Sequence, residues 1–287
     1  MATTSAASWR DALKPDQPLL LPLAHDALSA RLIERAGFEA YAIGGFPLTG
    51  ARHALPDIGL LGLGEMSAGV REIMAGSRLP VLVDGDDGYG DVKNVTRTIC
   101  TYEQLGAAAI LLEDQVAPKR CGHMQGKSVV PPEVMARKLR AAAAAREAGI
   151  FIIARTDARA VHGLDDTLRR AELYLKSGAD GVFVEAPESP EELARIGAEF
   201  RHVPQLANML EGGRTPLLAP AELFGLGFSM IAYPTSLIFR VTHTIEKALR
   251  DLKAGRLSLP GEGTDFEGFK AVVGFTRWAE LDDHPDE

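Results

Sequence analysis

Short apolar runs alternate along this chain with longer segments in which apolar residues recur every three or four positions. The short runs lack the apolar–polar alternation of a half-exposed strand, which is typical of parallel strands that helices cover. Eight such runs predict strands over residues 19–24, 40–45, 80–86, 108–114, 150–156, 181–186, 204–209 and 229–234. The amphipathic segments between them predict helices, several of which end at a glycine suited to a C-terminal cap.

The same order of helix end, glycine and next strand recurs along the chain, as in "AGFEA" and "SGADG". Eight strand–helix units predict a (β/α)8 barrel, whereas an open doubly wound sheet would usually need fewer strands. No linker divides the chain, so we expect one barrel domain over residues 1–287 with a C-terminal helical extension. The segment 46–65 is rich in Gly, Pro and Leu, and its length predicts a functional loop.

Composition narrows the classes of protein that the chain can belong to. A chain of 287 residues can bury a large core without disulfides, and its two cysteines favour a reducing, cytoplasmic location. The net charge of −8 argues against a nucleic-acid partner. No apolar run is long enough to cross a membrane, and the first residues lack the pattern of a signal peptide.

Polar residues collect where the predicted strands end, while the bodies of the strands are apolar. Active sites of (β/α)8 barrels lie at the carboxyl ends of the strands. The residues there are Gly44, Gly45, Asp84, Asp86, Asp87, Glu113, Asp114, Arg155, Thr156, Asp157, Glu185, Asn208, Tyr233, Pro234, Thr235 and Ser236. Their recurrence at the end of one strand after another predicts a single active site.

Among these residues, Asp84, Asp86 and Glu113 are acids on neighbouring predicted strands. Hard oxygen ligands of this kind suit Mg²⁺ or Mn²⁺. Zinc is disfavoured because no group of His and Cys residues has a suitable spacing. The alternative is that these acids cap helices or form ion pairs with cations such as Lys119 and Arg155.

The segment "EDQVAPKRCGHMQGK", residues 113–127, places a cysteine among charges. Cys121 lies between Arg120 and Gly122, and cationic neighbours favour a reactive thiolate or a usable proton donor. The glycines predict a lid over the metal. The alternative is an inert cysteine.

Arg155, at a strand end, suits a bidentate grip on a carboxylate. The alternative for Arg155 is an internal salt bridge with Glu113 or Glu185.

The run from Lys119 to His123 resembles the K-[KR]-C-G-H loop in the lyase branch of the isocitrate lyase/phosphoenolpyruvate mutase superfamily. The similarity extends over nearly the whole chain, through "DGDDGYG", "LLEDQ", "IARTDA", "FVEAP" and "YPTS". The resemblance implies a (β/α)8 barrel whose last helix is exchanged between subunits in a homotetramer, a dimer of helix-swapped dimers. It also implies Mg²⁺, with Mn²⁺ as a second possibility, and a small carboxylate substrate.

The resemblance also implies roles for individual residues. The metal ligands would be Asp57, Asp84, Asp86 and Glu113, with Asp86 in the most direct contact. The substrate would contact Tyr41, Gly44, Gly45, Asp84, Gly122, His123, Arg155, Glu185, Asn208, Thr235 and Ser236. Catalytic roles would belong to Lys119, Glu113, Cys121, His123 and Arg155, with Cys121 as the general acid that protonates an enolate-like product.

Two features of the chain depart from particular members of that superfamily. Ile43 stands where lyases and mutases usually carry a serine. After Cys-Gly-His the chain continues as residues 124–127, "MQGK", which is closer to the branch acting on substituted malates and oxaloacetate than to methylisocitrate lyase. Thr235 occupies a position that varies with the substrate.

The predicted function is therefore that of a Mg²⁺-dependent carbon–carbon lyase. It would cleave a 2-hydroxy di- or tricarboxylate, of the substituted malate or methylisocitrate type, to a 2-oxo acid and a second carboxylate. The alternatives are a phosphoenolpyruvate or carboxyphosphonoenolpyruvate phosphonomutase, an oxaloacetate decarboxylase or hydrolase, and a catalytically silent dicarboxylate sensor. Cys121 argues against the mutase, and the intact set of acids argues against the sensor.

Overall fold

Eight parallel strands form the centre of the structure, a computed structural model that describes residues 8–120, 126–256, 261 and 263–281. The strands are β1 Leu19–Pro22, β2 Tyr41–Ile43, β3 Val81–Asp84, β4 Ala109–Glu113, β5 Phe151–Thr156, β6 Gly181–Val184, β7 Gln205–Asn208 and β8 Met230–Tyr233. Each lies inside the run from which it was predicted. Neighbouring strands pair in the order β1-β8-β7-β6-β5-β4-β3-β2.

The remaining gap in the sheet, between β1 and β2, is closed by one parallel bridge. Leu23 faces Ala42 there, and the N–H of Ala24 donates to the carbonyl of Ala42 at 2.9 Å. The sheet is therefore a nearly closed barrel, and the prediction of a (β/α)8 fold is confirmed.

Thirteen helices are described in these ranges of the chain. They are α1 Trp9–Ala12, α2 Ala27–Arg35, α3 Gly45–His53, α4 Leu63–Met74, α5 Val92–Leu105, α6 Pro132–Ala145, α7 Arg159–His162, α8 Leu164–Lys176, α9 Pro190–Glu199, α10 Pro220–Leu226, α11 Ser236–Lys253, α12 Phe266–Val273 and α13 Phe275–Ala279. None of them is long and apolar enough to span a membrane.

Side-chain caps fix where several helices begin and end. Asp26 accepts the N–H of Ser29 at the start of α2, and Asp91 accepts two N–H groups at the start of α5. These bonds satisfy amide groups that have no partner within a helix. Gly106 ends α5 with φ of 87°, a conformation that glycine adopts without steric cost.

The strand residues divide between two apolar layers because successive side chains point to opposite faces. Leu82 packs in the barrel interior with Phe151 and Met230. Val81 and Val83, on either side of it, pack in the layer between the strands and the helices. The interior layer closes the barrel beneath the carboxyl ends of the strands.

The segment 46–65 corrects one prediction, because its first half is helical rather than a loop. Helix α3 covers Gly45–His53, and α4 begins at Leu63. Gly44, at the end of β2, is the N-cap of α3, so the helix follows the strand directly. Only the residues between the two helices, which include Asp57, form a connection.

By its internal contacts the chain divides into Met1–Leu237, which holds the barrel, and Ile238–Glu287. The second unit contains α12 and α13, where one terminal helix was predicted; Gly274, with φ of 72°, separates them. Its large exposed apolar side chains include Phe266 and Trp278. The exchange of a C-terminal helix between subunits stays a prediction.

Candidate active site

A cavity lies at the carboxyl ends of the strands and contains most of the predicted site residues. Of those residues, Gly44, Gly45, Asp57, Asp84, Glu113, Lys119, Arg155, Glu185, Asn208 and Thr235 line it. They come from the ends of seven strands and from the segments that follow them. The fold therefore brings together side chains that are far apart in sequence.

The acids Asp57, Asp84 and Asp86, here called the acid cluster, surround the ammonium group of Lys119. Its Nζ lies 2.9 Å from Oδ1 of Asp57, 2.5 Å from Oδ1 of Asp86 and 4.0 Å from Oδ2 of Asp84. The Lys119 side chain is 8% exposed, so these are buried ion pairs. The acids of the cluster therefore form ion pairs with Lys119 in this structure, as the alternative interpretation of them expected.

Backbone geometry holds the acid cluster in place. Oδ2 of Asp84 accepts the N–H of Gly45 at 3.2 Å, and its Oδ1 accepts the N–H of Asp86 at 3.1 Å. A Cβ atom at residue 45 would lie 2.9 Å from Nζ of Lys119 and 3.1 Å from Oδ1 of Asp57. A larger residue at this position would displace the end of the lysine or of the aspartate side chain, so glycine lets both approach the backbone closely.

Burial and charge act in opposite directions on the acid cluster. Burial raises the pKa of Asp86 to about 7, with Asp84 and Asp57 adding to the increase and Lys119 opposing it. Burial lowers the pKa of Lys119, but the surrounding carboxylates outweigh it and raise that pKa well above its ordinary value. The lysine is therefore a charged group that the acids hold in place.

A second charged group forms around Arg155 on β5. Its Nε lies 3.2 Å from Oε2 of Glu113, and its Nη2 lies 3.1 Å from Oε2 of Glu185. The guanidinium carbon lies 5.4 Å from the ring centroid of Phe183, which supports it as a cation–π contact. The internal salt bridges considered as the alternative for Arg155 are present, and the residue also lines the cavity.

Glu113 is almost completely buried, at 1% exposure, and Oε1 of its carboxyl group has no hydrogen-bond partner among the described residues. Burial raises its pKa well above the ordinary value, although Arg155 opposes the change. A buried carboxyl group with one oxygen left over can exchange a proton or meet a ligand.

Two residues beside Arg155 were assigned no catalytic or binding role from the sequence. Asp157 accepts from Nε of Arg155 at 2.8 Å and from Nη2 at 3.2 Å, and it also accepts from Nζ of Lys127 at 2.7 Å. Gln115 donates from Nε2 to Oε2 of Glu113 at 3.2 Å. The sequence signal for Asp157 is its place among the polar residues at the end of a predicted strand, and the signal for Gln115 is its position two places after Glu113.

The charges around the cavity do not balance among the described residues. The carboxyl groups belong to Asp57, Asp84, Asp86, Glu113, Asp157 and Glu185, whereas the cations are Lys119, Lys127 and Arg155, with Arg120 also lining the cavity. An excess of hard oxygen donors is the chemistry that Mg²⁺ prefers, so the residues fit such an ion. In the described parts of the chain, however, no three Asp, Glu, His or Cys side chains form a ready metal site.

Two described residues that were predicted to contact the substrate lie away from this cavity. Tyr41 is the first residue of β2, and its side chain is fully buried in the layer between strands and helices. Ser236 begins α11, and its Oγ donates to Oε1 of Glu211 at 2.9 Å. Tyr41 lies two places before the end of β2, and its implied contact with substrate stays a prediction. Three further predicted residues, Cys121, Gly122 and His123, lie outside the described residues.

Apolar side chains that were assigned no catalytic or binding role from the sequence form the rest of the cavity wall. They include Ile43 and Phe46 from the end of β2 and the start of α3, and Leu210 and Pro234 from the ends of β7 and β8. Thr235 adds a hydroxyl group that is buried and has no hydrogen-bond partner among the described residues. One part of the cavity is therefore charged and another is apolar.

Comparisons with known proteins agree with this architecture. A family model described as phosphoenolpyruvate phosphomutase matches residues 10–253. The chain is 43% identical over 249 residues to a 2,3-dimethylmalate lyase of Eubacterium barkeri, which covers 86% of this chain and 84% of that protein.

Solved structures give the same result. The structure of oxaloacetate acetylhydrolase in complex with the inhibitor 3,3-difluorooxalacetate superimposes with a TM-score of 0.92 at 30% identity, covering 98% of this chain and 97% of that one. A phosphonopyruvate hydrolase complex with oxalate and Mg²⁺ gives a TM-score of 0.84 at 27% identity, covering 96% of both chains.

Proposed function

The chain belongs to the isocitrate lyase/phosphoenolpyruvate mutase superfamily and is an enzyme of the lyase type, and from that premise we propose a reaction for it. The reaction is the Mg²⁺-dependent cleavage of a carbon–carbon bond in a small 2-hydroxy di- or tricarboxylate. The observation that carries this proposal is the cavity that Asp57 and Asp84 of the acid cluster line together with Arg155. Lys119, in that cavity, also begins the Lys-Arg-Cys-Gly-His motif.

The acid cluster and Glu113 would hold the divalent cation. When bound, the cation supplies Lewis-acid stabilisation of negative charge on the oxygen atoms of the substrate. The excess of carboxylates over cations among the described residues supports this assignment. Lys119 already neutralises part of that charge, so we expect it to weaken its contact with Asp86 when the cation binds.

Arg155 and the start of α3 would bind the carboxylates of the substrate. The guanidinium group presents parallel N–H donors that match a carboxylate, and Glu113, Asp157 and Glu185 fix its orientation. Backbone amide groups at a helix N-terminus attract anions, and Gly44, the N-cap of the nine-residue α3, lines the cavity.

Bond cleavage requires one base and one acid. A base, for which Glu113 is the candidate, takes the proton of the C2 hydroxyl group as the electrons of the C2–C3 bond move to C3. The C2 fragment leaves as a 2-oxo acid, and the C3 fragment is a carbanion stabilised by its carboxylate. Cys121 then gives its thiol proton to C3 and becomes a thiolate, which regains a proton before the next turnover.

The apolar part of the cavity favours a substituted malate over a tricarboxylate. The side chains of Ile43 and Phe46 line the cavity and offer an additional carboxylate no hydrogen-bond donor. Alkyl groups on the substrate would instead remove these side chains from water, at roughly 25 cal/mol for each Å² of apolar surface buried.

A substrate screen with product identification tests this function. The candidates are 2,3-dimethylmalate, 2-methylisocitrate, isocitrate, oxaloacetate and phosphonopyruvate, each with Mg²⁺ and with EDTA as the control. A 2-oxo acid with a second carboxylate, formed only with Mg²⁺, is the expected result. Phosphoenolpyruvate from phosphonopyruvate would indicate a mutase instead, and the absence of turnover with every compound would leave a dicarboxylate sensor.

Hydrolysis of oxaloacetate is a second candidate function, favoured by the similarity to oxaloacetate acetylhydrolase along nearly the full length of both chains. The same screen separates it from the lyase. Oxalate and acetate formed from oxaloacetate, without turnover of any malate, would establish it.

The partners that we propose are the small carboxylate substrate and further copies of this chain. Exposed apolar side chains of the second unit, such as Phe266, Phe275 and Trp278, support assembly through the C-terminal helices. The mass of the protein in solution tests this assembly: a tetramer is expected, and a monomer at micromolar concentration would exclude it.

A further inference from the structure

Gln115 binds the backbone of Arg120, the residue that precedes Cys121 in the sequence. Its Nε2 donates to the carbonyl oxygen of Arg120 at 2.9 Å, and its Oε1 accepts the N–H of the same residue at 3.0 Å. The carboxamide of Gln115 thus bonds both the N–H and the carbonyl of Arg120, as the backbone of a neighbouring β-strand would. Gln115 is 2% exposed, so these bonds form away from water.

The same carboxamide also reaches the active site. Its Nε2 lies 3.2 Å from Oε2 of Glu113, the oxygen that Nε of Arg155 contacts at 3.2 Å. Gln115 therefore links the backbone at residue 120 to the buried charge pair of the cavity. A side chain with both a donor and an acceptor is needed for these contacts, and glutamine provides both.

Asp157 links Arg155 to Lys127, which follows residues 121–125 in the sequence. Its carboxylate accepts two bonds from Arg155 and one from Lys127. The side chains of Asp157 and Lys127 are 0% and 2% exposed. Both charges are deeply buried, so the ion pair between them offsets part of the cost of removing each from water.

A short antiparallel pairing holds the same two parts of the chain together. The N–H of Val116 donates to the carbonyl of Ser128 at 2.9 Å, and Gln115 pairs with Val129. A path of polar contacts therefore runs from Arg120 through Gln115, Glu113, Arg155 and Asp157 to Lys127.

We propose that Gln115 and Asp157 are positioning residues that tie the two ends of the cysteine-bearing segment, at Arg120 and Lys127, to the Glu113–Arg155 pair. This role deepens the function proposed above and rests on it for its catalytic consequence. Gln115 acts through the backbone of Arg120, and Asp157 acts through the orientation of Arg155 and the charge of Lys127. The structural part of the proposal concerns contacts that exist with or without turnover.

Limited trypsin digestion of the native protein tests these contacts directly, since trypsin cleaves after Arg120 and after Lys127. The isosteric variant Gln115→Glu keeps the acceptor for the Arg120 N–H but replaces the donor with a carboxylate facing Glu113. We expect cleavage at Arg120–Cys121 to become about tenfold faster, because a net hydrogen bond is worth roughly one such factor. Asp157→Asn removes one charged partner of Lys127, and cleavage at Lys127–Ser128 should rise by about the same factor.

Two matched controls come from the opposite end of the barrel. Gln205 is a buried glutamine whose Nε2 donates to the carbonyls of Gly197 and Gly227. Asp180 is an acid in ion pairs with Arg10 and Arg146. Gln205→Glu and Asp180→Asn should leave both tryptic cleavage rates unchanged relative to the reference bond after Lys176.

Kinetic constants then separate positioning from a merely structural role. Gln115→Glu should lower kcat about tenfold with little change in KM, because the acid-bearing segment loses its fixed end. Asp157→Asn should mainly raise KM, because Arg155 loses the partner that orients it. Neither control should change either constant at 25 °C.

The outcomes are unambiguous. The proposal would be overturned if both variants were cleaved at the wild-type rate after Arg120 and after Lys127. It would also be overturned if cleavage after Lys176, the reference bond, increased by the same factor, because that result indicates general unfolding. If Gln115→Glu does not fold, Gln115→Asn keeps the amide but shortens its reach, and the same rates decide. Because digestion requires no turnover, an inactive wild-type protein would refute the proposed function and leave this test intact.

Discussion

The two ends of the barrel both contain buried polar side chains, but they use them differently. At the amino end, Asp180 faces two arginines and the N–H of Ile152, so its charge and its hydrogen-bonding capacity are met within the chain. At the carboxyl end, among the residues that the structure describes, the carboxyl groups outnumber the cations and Oε1 of Glu113 has no hydrogen-bond partner. The paired charges at the amino end contribute to stability alone, whereas the buried carboxyl groups at the carboxyl end lie where active sites of (β/α)8 barrels form.

The largest effect should come from removing the proposed acid at the carboxyl end. Cys121→Ala should lower kcat about a hundredfold to ten-thousandfold, the usual contribution of a positioned acid or base, and leave the affinity for Mg²⁺ unchanged. Steady-state kinetics and calorimetric titration with Mg²⁺ measure the two quantities. Cys100→Ser is the control, since Cys100 lies within α5. Full activity of Cys121→Ala would refute the assignment.

Loss of one acid from the acid cluster should be the next largest effect. Asp86→Asn should weaken binding of Mg²⁺ or Mn²⁺ about tenfold to a hundredfold, the range found when residues that support a metal site are changed. Titration calorimetry measures this affinity, and the rise in melting temperature on adding Mg²⁺, reversed by EDTA, should shrink in parallel.

Asp87→Asn is the matched control for Asp86→Asn. Asp87 pairs with Lys138 at 3.2 Å rather than with Lys119, so its replacement should leave the metal affinity close to the wild-type value. Equal affinities of Asp86→Asn and the wild type would remove Asp86 from the metal site.

At the amino end, the expected change concerns stability alone. Asp180→Asn should lower the free energy of unfolding by about 1–3 kcal/mol, because Arg146 and the N–H of Ile152 lose a charged acceptor. Urea denaturation measures the loss, and kcat at 25 °C should not change. A drop in kcat without a loss of stability would contradict the division of roles between the two ends.

The smallest predicted effect is the pH dependence due to His25, which follows β1 and is 7% exposed. Burial lowers its pKa, and Asp26 opposes this only in part. The folded state therefore favours the neutral imidazole. Its contribution to stability is complete above the ordinary pKa of 6.5 and is lost as the pH falls through the lowered pKa of the folded state.

Urea denaturation of the wild type and of His25→Asn at pH 7 and pH 5 tests this contribution. The wild type should lose more stability between the two values than the variant does. Equal losses would show that His25 does not contribute.

The sequence predicted the barrel well because each strand is a continuous apolar run bounded by glycine or polar residues. It predicted the acids of the cavity for the same reason, since Asp84 and Glu113 end their strands. The segment 46–65 was misjudged because glycine and proline residues favour turns, yet Gly44 can also serve as the N-cap of α3.

Contacts across strands could not be predicted from the pattern along the chain. Glu113 and Arg155 lie opposite each other in the register of β4 and β5, and the roles of Gln115 and Asp157 follow from that pairing. Asp57 was identified by resemblance alone, since it follows no strand. The placement of Lys119 inside the acid cluster was foreseen only as an alternative, because a sequence does not show which cation meets which acid.

The barrel is closed between β1 and β2 only at Leu23 and Ala42, so local opening of the sheet should occur most readily there. In the described parts of the chain, every other pair of adjacent strands is joined at two or more residue pairs, whereas β1 and β2 meet at a single bridge. Both bridge residues also line the cavity. A ligand packed against both residues would oppose separation of β1 from β2. Occupancy of the cavity should therefore slow amide hydrogen exchange at Ala24 more than anywhere else in the wall of the barrel.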